Sequence, residues 1–164
     1  MPAGHPLFYL ITHHLTTPKN PMSIERLYTA KAKATGGRDG RTISSDNVID
    51  LPLSTPKEMG GPGKADTTNP EQLFAAGYSA CFDGALNLVA RMQKTPITGS
   101  TVEADVSFGK DGDNYGIEVD LRVNIPNMPQ AQAEELVAKA HQVCPYSRAT
   151  RSNIEVNLST TTNA

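Results

Sequence analysis

The amino-acid sequence predicts an α+β fold in which antiparallel sheets pack around two main helices. Several segments alternate apolar and polar side chains with a period of two and are joined by short turns, which is typical of hairpins. Two longer stretches, 70–94 and 130–143, carry apolar side chains at helical spacing instead. The predicted order β-β-β-α-β-β-α-β does not alternate strands with helices, which argues against an α/β fold.

The length and composition are those of one domain with a hydrophobic core: the chain has 164 residues. Because 38% of them are hydrophobic and 20% are charged, the chain belongs to neither the disordered nor the membrane-embedded class. A formal net charge of −2 and dispersed lysines give no reason to expect nucleic acid as a partner. The longest N-terminal apolar run, 7–11, is too short to cross a bilayer, so we expect a cytoplasmic protein with no membrane partner.

We expect residues 1–21 to form an N-terminal extension outside the fold and residues 22–164 to form a single domain. The extension contains four prolines and shows no sustained hydrophobic period. Its histidines, His5, His13 and His14, have no cysteine or acidic residue nearby that would complete a metal site. We therefore predict no metal there.

The first predicted elements are short strands. Alternation over 28–35 indicates a half-exposed strand, and the glycine-rich segment 36–40 ends it as a turn. Two further strands are predicted at 41–45 and 48–53. The polar, glycine- and proline-rich segment 54–69 then follows, and a loop of this length is usually functional or mobile.

The first helix, predicted over 70–94, has a clear start. Asn69 suits the N-cap, Pro70 suits the first helical position, and Gln72 is placed to complete a capping box. Apolar or small residues at helical spacing then form one stripe, which consists of Phe74, Gly77, Cys81, Gly84, Ala85, Leu88 and Met92. We therefore expect Cys81 on the buried side, on a surface small enough for another backbone to approach closely.

The second half of the chain contains the clearest hairpin. Residues 102–108 and 117–125 alternate in hydrophobicity on either side of a turn rich in Asp, Asn and Gly. The second helix, 130–143, follows, and Pro145 disfavours helical geometry just beyond it. A last strand is predicted at 154–158.

The two cysteines, Cys81 and Cys144, are open to several interpretations when the residues are considered alone. They are far apart in the sequence and form no C-x-x-C pair, so they could be inert small hydrophobes. His141 and Cys144 are three residues apart and would supply half of a zinc site, but little besides Cys81 is left to complete it.

A reactive Cys81 would need a cation from elsewhere in the chain. It lies well inside its helix, beyond the first turn where the helix dipole favours an anion, and its apolar surroundings would raise the pKa of the thiol. Arg38, on a glycine-flanked turn, is a candidate for that cation. The alternative is that Arg38 is an ordinary solvated turn residue.

Three stretches of the sequence together resemble the organic hydroperoxide resistance (Ohr) branch of the Ohr/OsmC family. They are GGRDGR at 36–41, NPEQLFAAGYSACF at 69–82 and HQVCPYS at 141–147. The last two are long and specific, whereas the first would be weak alone. The resemblance covers roughly residues 22–160 in the same order and leaves the N-terminal extension outside.

The resemblance implies a thiol-dependent peroxidase that reduces alkyl or lipid hydroperoxides to alcohols through a cysteine sulfenic acid and an intramolecular disulfide. Cys81 matches the peroxidatic cysteine, Cys144 the resolving cysteine, Arg38 the arginine that activates the thiolate, and Glu71 the acid that orients Arg38. The implied assembly is an intertwined homodimer with two sites at its interface. No bound cofactor or metal is implied, and the external reductant would be a dihydrolipoyl dithiol on a lipoylated carrier protein.

Aromatic side chains near the cysteines are candidates for a substrate pocket, with the protein core as the alternative for each: Phe74, Tyr78, Phe82 and Tyr146. Glu71 raises a geometric problem, because ten residues of one unbroken helix would place it about 15 Å from Cys81. We therefore predict that Arg38 reaches Cys81 while its carboxylate partner comes from the other chain, or that the helix is broken.

Three other functions remain compatible with the sequence. One is an OsmC-type paralogue with a broader peroxide preference. Another is a redox-sensing or ligand-binding protein whose disulfide switches a partner, although no DNA-binding module is visible. The third is a structural dimer with inert thiols.

Overall fold

The computed structural model describes residues 24–163, and the helices and strands of this part of the chain lie within 32–161. Residues 24–30 contain no helix or strand. The predicted extension, 1–21, lies outside the described residues. The first strand begins at Ala32 rather than at residue 28 as predicted.

The first sheet is small, antiparallel and largely exposed. It consists of β1 (Ala32–Thr35), β2 (Arg41–Ser44) and β3 (Asp50–Pro52), in that order. No residue of these strands is fully buried. The sheet therefore contributes little to the core, and its importance lies in the turn between β1 and β2.

The long helix α1 (Pro70–Met92) begins where its capping residues predict. Asn69 accepts the backbone N–H of Gln72 at 2.8 Å, and Pro70 occupies the first turn. The Gln72 side chain accepts the hydroxyl of Thr68 at 2.9 Å instead of closing the predicted capping box.

The buried face of α1 differs from the predicted stripe. The structure buries the side chains of Tyr78, Phe82, Ala85, Leu86, Val89 and Ala90. Of the predicted stripe, Leu88 is 44% exposed, Met92 is 74% exposed and Cys81 is partly buried. The predicted stripe is confirmed for Ala85, and Phe74 and Cys81 pack against the core. It was wrong for Leu88 and Met92, because α1 is apolar on more than one side and hydrophobic spacing does not select a single buried face.

By length and composition alone, α1 is apolar enough to cross a membrane, with a mean hydropathy of 1.3 over its most apolar window. A core helix of a soluble protein meets the same criterion, but only 33% of this window is buried within the chain. Part of the apolar surface of α1, which includes Leu88 and Met92, is thus exposed in the single chain.

The second sheet supports the core. It consists of β4 (Thr101–Asp111), β5 (Asn114–Asn124) and β6 (Val156–Thr161). The β4–β5 hairpin has the predicted antiparallel pairing, whereas β6 runs parallel to β5. The parallel pair arises because two helices carry the chain from β5 back across the sheet before β6 begins.

Those two helices are α2 (Gln130–Val143) and α3 (Pro145–Thr150), and α3 was not predicted. Pro145 ends α2, as expected, but also occupies the first turn of α3, a position that suits proline. The core fills the space between α1, α2 and the inner face of the second sheet. The predicted fold class is confirmed, with α3 added.

Candidate active site

The two cysteines meet across the helix interface. Cys81 lies on α1 and Cys144 lies between α2 and α3, and their Sγ atoms are 3.7 Å apart with the Cys144 thiol as donor. Both are free thiols. A disulfide requires about 2.05 Å between sulfurs, so a bond would need them to approach by roughly 1.6 Å.

The two thiols differ in their access to solvent. Cys144 is completely buried, and its backbone is hydrogen-bonded on both sides, to the carbonyl of Ala140 and from the N–H of Arg148, each at 2.9 Å. Cys81 is only partly buried. A small molecule arriving from outside would therefore reach Cys81 first.

Within one chain the surroundings of Cys81 favour the neutral thiol. Burial raises the pKa of the Cys81 thiol, and the backbone N–H of Tyr146 opposes this by donating to the sulfur. Cys144 raises the pKa further, because two adjacent thiols resist both becoming anions. No cation of the described chain is among the groups that shift this pKa.

The turn that carries Arg38 is held by its flanking residues. Gly36 has a φ of +74°, which favours glycine, and a Cβ on Gly40 would lie 1.7 Å from the carbonyl oxygen of Thr35. Asp39 anchors the turn to the following loop, since its carboxylate accepts the N–H and the hydroxyl of Thr55 at 3.0 and 3.1 Å.

Arg38 forms a bidentate ion pair with Glu71 in the first turn of α1. Its Nη1 donates to Oε2 at 2.9 Å and its Nη2 donates to Oε1 at 2.6 Å. The guanidinium hydrogen bond lowers the pKa of Glu71, whose side chain is 13% exposed. The guanidinium also lies 5.0 Å from the ring centroid of Phe108, which stacks on Tyr115 at 5.1 Å.

The ion pair and the thiols are separate within one chain. Glu71 and Cys81 lie on one continuous helix, about 15 Å apart along its axis. Both predicted alternatives, a carboxylate partner from another chain and a broken helix, were wrong, because Arg38 pairs with Glu71 of its own chain at the start of α1. Arg38 is held there rather than reaching towards Cys81.

The four aromatic candidates differ in how deeply they are buried. Phe74, Tyr78 and Tyr146 form a cluster with ring centroids 5.7 to 6.1 Å apart. However, Tyr78 and Phe82 are completely buried, which favours the core, the alternative given for each of them. Phe74 is partly buried and Tyr146 is 39% exposed, so these two remain candidates for substrate contact.

Comparisons with known proteins identify the family to which this chain belongs. The family model described as OsmC-like protein matches residues 61–159. The organic hydroperoxide resistance protein of Xanthomonas axonopodis pv. citri is 55% identical over 133 residues, which are 80% of this chain and 93% of the relative. The chain belongs to the Ohr/OsmC family. OhrA of Bacillus subtilis, also an organic hydroperoxide resistance protein, is 47% identical over 134 residues, covering 80% of this chain and 94% of the relative.

A solved Ohr/OsmC structure agrees with the fold described above. The crystal structure of an organic hydroperoxide resistance protein from Elizabethkingia anophelis has a TM-score of 0.81 and 49% sequence identity. The match covers 85% of this chain and 100% of that one. Membership of this family supports a role in peroxide detoxification and in the response to oxidative stress.

A metal centre finds no support in the described part of this Ohr/OsmC chain. Within residues 24–163, no group of three or more His, Cys, Asp and Glu side chains is arranged to hold a metal ion. His141 packs beside Phe82, with ring centroids 6.4 Å apart, and burial lowers its pKa. Its Nδ1 is buried and has no hydrogen-bond partner among residues 24–163.

Several residues near this Ohr/OsmC site were not predicted. Phe108 was predicted only as an apolar residue of the alternating segment 102–108, and nothing local to the sequence indicates that it contacts Arg38. Ser147 and Thr150 accompany Tyr78 in a buried hydroxyl cluster. Ser147 could have been found from the sequence, because it lies three residues after Cys144 and therefore about one helical turn away.

Proposed function

We propose that this protein is a thiol-dependent peroxidase that reduces organic hydroperoxides to alcohols in the cytoplasm. The observation that carries the proposal is the 3.7 Å contact between a partly exposed thiol, Cys81, and a completely buried one, Cys144. In this arrangement the partly exposed thiol can react with the substrate as the nucleophile. The buried thiol is close enough to react with the oxidised sulfur afterwards. Membership of the Ohr/OsmC family supports the choice of hydroperoxide as substrate.

The proposed reaction begins with the Cys81 thiolate attacking one oxygen of the hydroperoxide. The O–O bond breaks, the other oxygen leaves as alkoxide and takes a proton to become the alcohol, and Cys81 becomes a sulfenic acid. Cys144 then displaces the hydroxyl group to form the disulfide and water. A dihydrolipoyl dithiol on a lipoylated carrier protein would reopen the disulfide by thiol–disulfide exchange.

The required thiolate leads us to propose a homodimer. Within one chain the pKa of the Cys81 thiol is raised, so its activation needs a positive charge that its own Arg38 does not bring. The uncovered face of α1, which includes Leu88 and Met92, offers apolar surface for a second copy. Gly84 adds a place for close approach, since a Cβ there would have open space around it.

In this dimer the ion pair of one chain would lie beside the Cys81 thiol of the other chain and act on it through its positive charge. The partner subunit's Arg38 would lower the pKa of Cys81 through its charge, and its N–H groups would stabilise the departing oxygen. The partner's Glu71 would hold that guanidinium in one orientation through the two hydrogen bonds. An intertwined arrangement would bring the start of one α1 near the middle of the other.

The substrate would bind against apolar surface. Phe74 packs on Tyr146, whose backbone N–H reaches the Cys81 sulfur. A cavity of about 430 Å³ beside Glu71 is lined by carboxylates and by apolar residues that include Ala75, Val106 and Phe108, and the proposed dimer would bring it to the thiol of the other chain. A cavity of this size accommodates an alkyl chain. We therefore propose a preference for alkyl or lipid hydroperoxides over hydrogen peroxide.

Stopped-flow kinetics test the proposal. Wild-type protein and Cys81→Ser are mixed with tert-butyl hydroperoxide or hydrogen peroxide, with dihydrolipoamide as reductant. The wild type should turn over rapidly with the organic substrate, and Cys81→Ser should fall to the background rate. Cys144→Ser is the matched control, which should keep the first oxidation of Cys81 but form no intramolecular disulfide. Equal, slow rates in wild type and Cys81→Ser would exclude the peroxidase.

A further inference from the structure

A buried hydroxyl cluster lies beside the two thiols, and we call it the hydroxyl clamp. It consists of Tyr78 on α1 with Ser147 and Thr150 on α3. The Tyr78 hydroxyl donates to Ser147 Oγ at 3.0 Å and lies 3.1 Å from Thr150 Oγ1. Tyr78 and Ser147 are 0% exposed and Thr150 is 6% exposed. The clamp thus joins α1 to α3 through hydrogen bonds that solvent does not reach.

The clamp and the sulfur contact are neighbours on the same interface. Tyr78 precedes Cys81 by three residues on α1, and Ser147 follows Cys144 by three residues at the start of α3. Residues spaced by three lie on one side of a helix, one turn apart. The clamp therefore holds α3 against α1 one turn away from the point where Cys144 meets Cys81.

Internal hydrogen bonds make α3 and Cys144 move as one piece. The N–H of Arg148 donates to the Cys144 carbonyl at 2.9 Å, and Thr150 Oγ1 donates to the Tyr146 carbonyl at 3.0 Å. Tyr146 also supplies the backbone N–H that reaches the Cys81 sulfur. A shift of α3 would consequently displace Cys144 and this N–H together.

We propose that the hydroxyl clamp positions Cys144 for the resolving step, a role that rests on the function proposed above. A phenylalanine at position 78 would fill nearly the same core volume, so the specific contribution of the Tyr78 hydroxyl is its directional hydrogen bonding to α3. Buried hydroxyls without partners are costly, which restricts α3 to the position where all three are satisfied. In that position Cys144 is within 3.7 Å of Cys81.

The oxidised Cys81 has two fates, and the clamp selects between them. In the productive one, the Cys144 sulfur attacks the sulfenic sulfur; the S–S bond forms, the S–O bond breaks, and the hydroxyl group leaves with the thiol proton as water. In the damaging one, a second hydroperoxide molecule transfers an oxygen to the sulfenic acid, which becomes sulfinic acid, and is itself reduced to alcohol. The ratio of disulfide to sulfinic acid therefore reports how well Cys144 is placed.

The test uses Tyr78→Phe and Ser147→Ala in the full-length protein. Each variant is exposed to graded tert-butyl hydroperoxide without reductant, and intact-mass analysis measures the disulfide and sulfinic fractions. We expect the sulfinic fraction at a given dose to rise about fivefold, the effect of losing one typical hydrogen bond. The first oxidation, followed by stopped flow, should also slow, because the Tyr146 N–H that favours the Cys81 thiolate is displaced together with Cys144. The ratio of disulfide to sulfinic acid is set after that step and reports the position of Cys144 alone. The double variant should be no worse than the more affected single one, because both remove the same hydrogen bond.

Ile125→Val is the matched control for general loss of stability. Ile125 is completely buried and lines a cavity with Pro96, beyond the C-terminal end of α1. Removing one methylene there should lower the unfolding temperature but leave the sulfinic fraction at the wild-type value. The unfolding temperature and the sulfinic fraction together thus distinguish a positioning role from a general loss of stability.

The outcomes distinguish failure of the clamp from failure of the peroxidase. If the wild type forms a disulfide and both clamp variants show the wild-type sulfinic fraction, the clamp proposal is overturned. If wild-type Cys81 is not oxidised by hydroperoxide at all, the proposed function itself fails. Should Tyr78→Phe not fold, as judged by circular dichroism, Ser147→Ala and the near-isosteric Thr150→Val decide the matter with the same readout.

Discussion

The thiol region and the ion-pair region lie at different points of the same helix and are held by different means. Cys81 and Cys144 are placed by the packing of α1, α2 and α3 and by buried hydrogen bonds. Arg38 and Glu71 are placed at the more exposed start of α1 by a glycine turn and a bidentate ion pair. Each region is internally satisfied, but neither acts on the other within one chain. In the proposed dimer, assembly would bring the nucleophile of one chain to the cation of the other.

The largest effect should come from mixing two inactive variants. Arg38→Ala and Cys81→Ser are each expected to lose turnover, but a heterodimer of the two contains one site with both groups if Arg38 acts across the dimer. Random pairing of equal amounts should restore about a quarter of wild-type activity, since half of the dimers are mixed and each has one working site. Activity after co-refolding, measured with tert-butyl hydroperoxide, checks this.

The same mixture would give the opposite result if the thiol region and the ion-pair region act within one chain. In that case a heterodimer would contain no complete site, and the mixture would remain at background. Each variant refolded alone provides the baseline, and size-exclusion chromatography verifies that dimers are present.

The next largest effect concerns the turn that places Arg38. Gly40→Ala would put its Cβ 1.7 Å from the Thr35 carbonyl oxygen, and because these are backbone atoms the turn must open. Displacing Arg38 by about 1 Å should lower kcat/KM by roughly a hundredfold. Gly37→Ala is the control: its Cβ would meet nothing within 4 Å, and only the φ of +61° is unfavourable. Similar kinetic losses in both variants would contradict this account of the turn.

A smaller effect should follow from Glu71→Gln, which keeps the shape but removes the charge that orients Arg38. We expect kcat/KM to fall about tenfold, the value of a charge-assisted hydrogen bond. The folded pKa of Glu71 is lowered by Arg38, so the stabilisation is fully present above its ordinary value of 4.5 and is lost as the pH falls through the folded pKa.

Urea unfolding as a function of pH checks the sign of that linkage. The difference in unfolding free energy between wild type and Glu71→Gln should be about 1 kcal/mol near neutrality, because the pair is partly exposed. The difference should shrink below the ordinary Glu71 value of 4.5. A difference that grows as the pH falls would contradict the lowered pKa.

The smallest effect should come from the aromatic support of the ion pair. Phe108→Leu removes the ring beneath the Arg38 guanidinium, a contact worth about 0.5–1 kcal/mol, so kcat/KM should fall about two- to fivefold. Tyr115→Leu leaves that ring in place and removes only the aromatic partner stacked on it. Its kcat/KM should stay near wild type, and equal losses in both variants would count against a direct role for Phe108.

Local chemistry predicted much of the fold. The Asn69-Pro70 helix start and the β4–β5 hairpin are confirmed, because caps and alternating strands depend on residues close together in the chain. The short helix α3 was not predicted, because a proline that disfavours helical geometry in the preceding residue suits the first turn of a new helix equally well. The parallel pairing of β6 escaped it because strand direction follows from how the intervening helices cross the sheet.

The candidate groups were identified mainly through the stretches that resemble the Ohr branch, since those stretches contain both thiols, the guanidinium and the carboxylate. Their partners were not, because contacts between distant residues depend on how the elements pack. Hydrophobic spacing could not choose among the apolar sides of α1, and packing buried Tyr78 and Phe82 while leaving Leu88 exposed. Packing likewise brought Cys144 to Cys81 and kept Arg38 with Glu71.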